Sequence, residues 1–135
     1  MNQFLKDIAD FHTKFGLEYN GSVKQLEPHM RKFRENFMQE ELDEYISASE
    51  LHDQLDALVD LVYVVLGTAY LQGFPFQEAW RRVHQANMKK VRKESERSEF
   101  DIGKPEGWEV PYLADLCDGR QQDLFIPPPF DVDLK

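Results

Sequence analysis

The segment Ala57-Leu-Val-Asp-Leu-Val-Tyr-Val-Val-Leu66 constrains this chain more than any other. A helix this apolar is expected to be buried nearly all round. An ionised carboxylate buried alone is very costly, so Asp60 must be paired, protonated or bound to a cation. No Lys or Arg lies within 20 residues of Asp60 on either side. The simplest partner is therefore a metal ion held jointly with other acids. The uncharged stretches around Asp60 give a run of only 15 residues, from Ala57 to Leu71. A membrane span wants about 20.

Other acids are close at hand. Between Met38 and Asp60 there are eight (Glu40, Glu41, Asp43, Glu44, Glu50, Asp53, Asp56 and Asp60) and no Lys or Arg. They account for nearly all of the formal net charge of −9. Asp56 stands one turn before Asp60, and Glu41 one turn before Glu44. Met30, Phe33 and Phe37 form an apolar stripe whose continuation falls on Glu40, Glu41 and Glu44, where a solvated charge would not be placed. Two such helices packed antiparallel would pool four or five carboxylates. Oxygen-only ligands select hard cations, Mg²⁺ first and Mn²⁺ as a substitute. A ferritin-like di-iron site is disfavoured, because no Glu-x-x-His occurs in the chain. Asp43, Glu50 and Asp53 are expected to face water.

The pattern is all-α with an irregular end. Phe4, Ile8, Phe11 and Phe15 recur at helical spacing and place a helix over about Asn2–Phe15, stopped by Gly16. Pro28 opens a second helix that ends near Ser47-Ala48-Ser49, which would cap a third running from about Glu50 to Gln72. Leu51, Leu55, Leu58, Val62, Val65 and Ala69 line one face of the third helix, and Asp53, Asp56, Asp60 and Tyr63 another. Gly73 ends it, and Pro75 opens a fourth helix to about Glu94. No strand with convincing alternation is evident. Residues 1–97 are read as the helical domain. Residues 98–135 are read as an extended tail, whose Trp108, Tyr112, Phe125 and Phe130 would pack on the core or on a neighbouring subunit. Four short helices make a thin core, and the third has more apolar surface than one neighbour can cover, so a homodimer is expected.

Three motifs then join up. Gln39-Glu-Glu-Leu-Asp-Glu44 is followed by Leu55-Asp-Ala-Leu-Val-Asp-Leu-Val-Tyr63 and by His84-Gln-Ala-Asn-Met-Lys-Lys-Val91. Over roughly Phe11–Val91 the chain resembles the MazG-like all-α nucleoside triphosphate pyrophosphohydrolases. It is closest to the small bacterial and phage proteins grouped with phosphoribosyl-ATP pyrophosphohydrolase. The resemblance implies a four-helix fold assembled as a dimer or a homotetramer. It implies Mg²⁺-dependent cleavage of nucleoside triphosphates between the α and β phosphates, giving monophosphate and pyrophosphate. Carried over, Glu41, Glu44 and Asp60 would be metal ligands, with Glu40 a ligand or water-positioning base. The usual second motif has an acid three residues before Asp60. Here Ala57 stands there, and Asp56, four before, would substitute.

The chemistry fits the charge map. A triphosphate needs cations around it and a water aimed at phosphorus, with a carboxylate, Glu40 or Glu41, to take the proton. The stretch Arg81–Arg97 carries seven bases and two acids. Within it Lys90, with Asn87 one turn before, is the expected phosphate contact and His84 a weaker one. Tyr63, Phe37, Phe11, His12 and Phe15 either touch the nucleotide base or fill the core. Arg34 either pairs with Glu35 or Glu27 or binds phosphate. A nucleic-acid polymer or an anionic membrane is disfavoured as partner by the acidic balance. Cys117 is the sole cysteine, and the N-terminus lacks a signal peptide's apolar stretch, so a cytoplasmic location is expected. The competing reading is a non-catalytic helical module that binds a nucleotide or a partner protein.

Overall fold

The computed structural model describes residues 2–118. The expectations for Phe125, Phe130 and the triple proline at 127–129 lie outside the described residues. The architecture is all-α as expected, with α1 (Gln3–Lys14), α2 (Pro28–Ser47), α3 (Leu51–Leu71) and α4 (Phe76–Asn87). Asn2 caps α1, its side-chain oxygen accepting from the backbone N–H groups of Phe4 and Leu5. Glu27 caps α2 ahead of Pro28 in the same way, through the N–H of His29. The expected cap from Ser47-Ala48-Ser49 is not made, since Glu50 stands at the N-cap of α3 without a side-chain bond. Gly73 ends α3 at φ 75°, and a Cβ there would come within 2.9 Å of the Ser22 carbonyl, so the turn excludes larger residues twice over.

Packing is strongest between α2 and α3, and α1 lies on α3. The core is small: Leu5 and Ile8 of α1 meet Leu66 and Tyr70 of α3, with Tyr19 and Phe76 against them. Toward its N-terminus α3 is not covered. Leu51, Leu55, Leu58 and Val62 are 83%, 64%, 45% and 50% exposed in the single chain, so the expectation of burial all round fails for this half of the helix. By length and hydropathy alone α3 could cross a membrane, a test that core helices of soluble proteins also pass.

Two expectations about the second half of the chain are corrected. The fourth helix ends at Asn87, seven residues before Glu94. Lys89, Arg92 and Lys93 would have stacked like charges at helical spacing. Instead the backbone extends into β1 (Val91–Arg92), which pairs antiparallel with β2 (Ile102–Gly103). These strands of two residues are too short to show an alternating pattern. After a turn at Gly107 and a short 3₁₀ helix at Ala114–Cys117, the chain is fixed to α4. Arg82 donates to both carboxylate oxygens of Asp115, at 2.7 and 3.1 Å, and to the Tyr112 carbonyl. An open hollow of 480 Å³ lies along this seam, walled by Arg82, Gln85, Lys89, Trp108 and Tyr112.

Candidate metal and phosphate site

The antiparallel pair α2–α3 sets the site. Arg34 locks it at one end. Its Nε donates to Thr68 Oγ1 at 3.0 Å, and its Nη2 to the Val64 carbonyl at 2.9 Å. Close approach is allowed by Gly67, where a Cβ would stand 2.7 Å from Nη2. Arg34 therefore pairs with neither Glu35 nor Glu27. The residue is 8% exposed, and its guanidinium lies 5.5 Å from the centre of the Phe37 ring.

Two turns along the same face of α2 comes Glu41, also 8% exposed. One oxygen each from Glu41, Glu44 and Asp60 lie within 4.8 Å of one another. Glu41 Oε2 is buried with no hydrogen-bond partner. Burial, then the charges of Glu44, Asp60, Glu40 and Asp56, hold the Glu41 carboxyl above its ordinary range. The buried member of the set is thus Glu41, whereas Asp60, expected to be deep in the core, is only half-buried. Glu40 and Asp56 are exposed neighbours that act on Glu41 through charge. An orphaned carboxylate oxygen beside two further carboxylates is a donor set suited to a hard divalent cation.

The remaining expected residues are spread over other surfaces. Tyr63 stands edge-on to Phe11, with ring centres 5.3 Å apart, and Phe11 packs in turn on Phe15. His84 and Asn87 are exposed on α4, and Lys90 lies beyond its end. Among the described residues none of these three bonds to the carboxylates. The ammonium of Lys90 sits 5.1 Å from the centre of the Trp108 ring instead.

One group has more structural weight than the sequence reading gave it. His12 is 3% exposed, its Nδ1 is 2.8 Å from the Ile8 carbonyl, and its ring lies 4.6 Å from that of Tyr70. Burial lowers the His12 pKa, against the pull of its bond to the Ile8 carbonyl and with the Arg34 charge adding to the lowering. His12 and Arg34 meet at Gly67 and hold α1, α2 and α3 together. The signal available in the sequence was the spacing of Arg34, seven residues before Glu41 on one helix face.

An α-helical hairpin that gathers carboxylates from both arms is an arrangement that could hold a metal ion between two helices. The chain belongs to the phosphoribosyl-ATP pyrophosphohydrolase family, whose model matches residues 8–87. This is a metal-dependent family of pyrophosphohydrolases acting on nucleotides. No curated protein matches the chain.

Proposed function

We propose that the protein is a Mg²⁺-dependent, MazG-like pyrophosphohydrolase that splits ribo- or deoxyribonucleoside triphosphates between the α and β phosphates. The observation that carries this reading is the convergence of Glu41, Glu44 and Asp60, with a buried Glu41 oxygen left unbonded. Glu41, Glu44 and Asp60 would hold the metal, with Asp56 able to join from one turn before Asp60. Bound there, Mg²⁺, or Mn²⁺ in its place, supplies Lewis acidity and neutralises charge on the triphosphate. Glu40, exposed beside the cluster, accepts the proton of the attacking water; Glu41 is the other candidate for that role. Lys90, Asn87 and His84, which a single chain does not bring to the carboxylates, would offer donors to the departing pyrophosphate, and Tyr63 with Phe11 an aromatic edge to the base.

A homodimer, alone or paired into a tetramer, would cover the exposed apolar face of α3, where Leu51, Leu55, Leu58 and Val62 have no cover in one chain. The working unit is then read as a cytoplasmic enzyme of nucleotide pools, with residues 1–97 as its helical domain and residues 98–135 as an appended tail.

A substrate panel tests the reading. The protein is incubated with each nucleoside triphosphate and with phosphoribosyl-ATP, with Mg²⁺ and then with excess EDTA. Equal amounts of monophosphate and pyrophosphate, formed with Mg²⁺ only, are expected from at least one triphosphate. Cleavage of phosphoribosyl-ATP alone would replace the substrate assignment. No pyrophosphate from any of them, in a folded protein, would leave the non-catalytic binding module.

A further inference from the structure

Trp108 is placed with unusual care for a residue outside the region of family likeness. The β1–β2 pair brings the returning chain alongside the residues that directly follow Lys90. A turn at Gly107, φ 82°, lets the Trp108 N–H donate to the Pro105 carbonyl at 3.1 Å. The indole N–H then donates at 2.7 Å to the carbonyl of Ala86, in the last turn of α4. That carbonyl also accepts from the Lys89 N–H at 3.1 Å, so the indole is a second donor to it, and the bond orients the ring against the end of α4. Two ammonium groups lie 5.1 Å from the centre of this ring, Lys90 Nζ and Lys104 Nζ. Neither lysine makes an ion pair among the described residues. Two like charges gathered on one aromatic platform, each with free N–H donors, suit an anion rich in oxygen.

We propose that Trp108 is a positioning residue, holding Lys90 and Lys104 together as a two-ammonium clamp for the pyrophosphate end of the substrate. The proposal rests on the reading of Lys90 as a phosphate contact and extends it to two residues of the C-terminal segment. A lysine has four rotatable bonds, and a phosphate that binds a loose one must order it. The ring does part of that ordering beforehand and leaves the three N–H donors of each ammonium available. The segment after α4 is then part of the phosphate site and not only a structural wrap.

A double-mutant cycle on the full chain tests this. Trp108→Leu should raise KM for the nucleotide hydrolysed by about threefold to tenfold, with a smaller change in kcat. Lys104→Gln should move KM in the same direction, and Trp108→Phe, which keeps a ring face, should restore part of the loss. In a Lys90→Gln background, Trp108→Leu should add little. A second measurement does not need the Leu variant to fold. With Trp80→Phe, Trp108 is the sole tryptophan. Its emission should change saturably with magnesium pyrophosphate, and Lys90→Gln should abolish that change. The proposal falls if Trp108→Leu leaves KM unchanged, if it raises KM equally with and without Lys90, or if the emission change survives Lys90→Gln. Hydrolysis that continues unaltered in Trp108→Leu overturns the clamp alone. No hydrolysis of any nucleotide overturns the reading beneath it as well.

Discussion

Glu41 and Glu78 carry the same carboxyl group and are driven in opposite directions. On α4, Glu78 accepts from Arg81 at 2.6 and 2.8 Å and from Arg82 at 2.8 Å, and its pKa falls to about 2. On α2, Glu41 is buried among other acids with no base beside it, and its pKa rises. On the α4 seam, Glu78 and Asp115 each have an arginine partner. The α2–α3 cluster is incomplete, and its missing charge is what a divalent cation would bring. A satisfied ion-pair network holds a shape; an unsatisfied one marks where something else binds.

The unpaired cluster should matter most to activity. Asp60→Asn and Glu41→Gln should each lower pyrophosphate release on the order of 10²–10³-fold. Unchanged turnover in either would remove that residue from the site. Charge placed on the uncovered face of α3, as in Leu55→Lys or Val62→Lys, should dissociate the proposed dimer. Sedimentation that finds the same species in wild type and variant would count against that interface.

Gly67→Ala forces a Cβ to within 2.7 Å of Arg34 Nη2. It should cost about 1–3 kcal/mol in denaturant unfolding. A neutral result would mean that the Arg34 lock yields easily.

The two carboxylates should also give opposite pH dependence in EDTA. Raised in the folded state, Glu41 favours folding below the ordinary carboxylate pKa, and that contribution is lost as pH rises through its own higher value. Lowered in the folded state, Glu78 contributes above the ordinary carboxylate pKa and is lost as pH falls towards 2. Glu41→Gln should therefore raise the metal-free Tm by a few degrees at neutral pH and leave it unchanged in acid. Glu78→Gln should lower it slightly at neutral pH, the smallest effect of the series, since those ion pairs are partly exposed. Parallel pH profiles for the two variants would contradict the contrast.

The first three helices could be read from the sequence to within a residue or two. Their signals are local: Asn2 and Pro28 at the starts, Gly16 and Gly73 at the ends, and apolar periodicity between. The end of α4 could not. It is set by the Trp108 bond to Ala86 and by the pairing of Val91 with Gly103, contacts across 22 and 12 residues that no local pattern records. The convergence of Glu41, Glu44 and Asp60 was legible because carboxylates on apolar faces contradict simple amphipathicity. The order of burial among them was not. It depends on which side of α3 the α2 helix lies, and Arg34 decides that through two hydrogen bonds to the far end of α3.

Mn²⁺ binding at the α2–α3 carboxylates can be followed by electron paramagnetic resonance in the wild type, in Glu41→Gln and in Asp60→Asn. The wild-type chain should take up the ion without any nucleotide present, and each substitution should weaken uptake at least about tenfold while helix content stays unchanged. Equal binding by all three proteins, or none by the wild type, would contradict a metal site there.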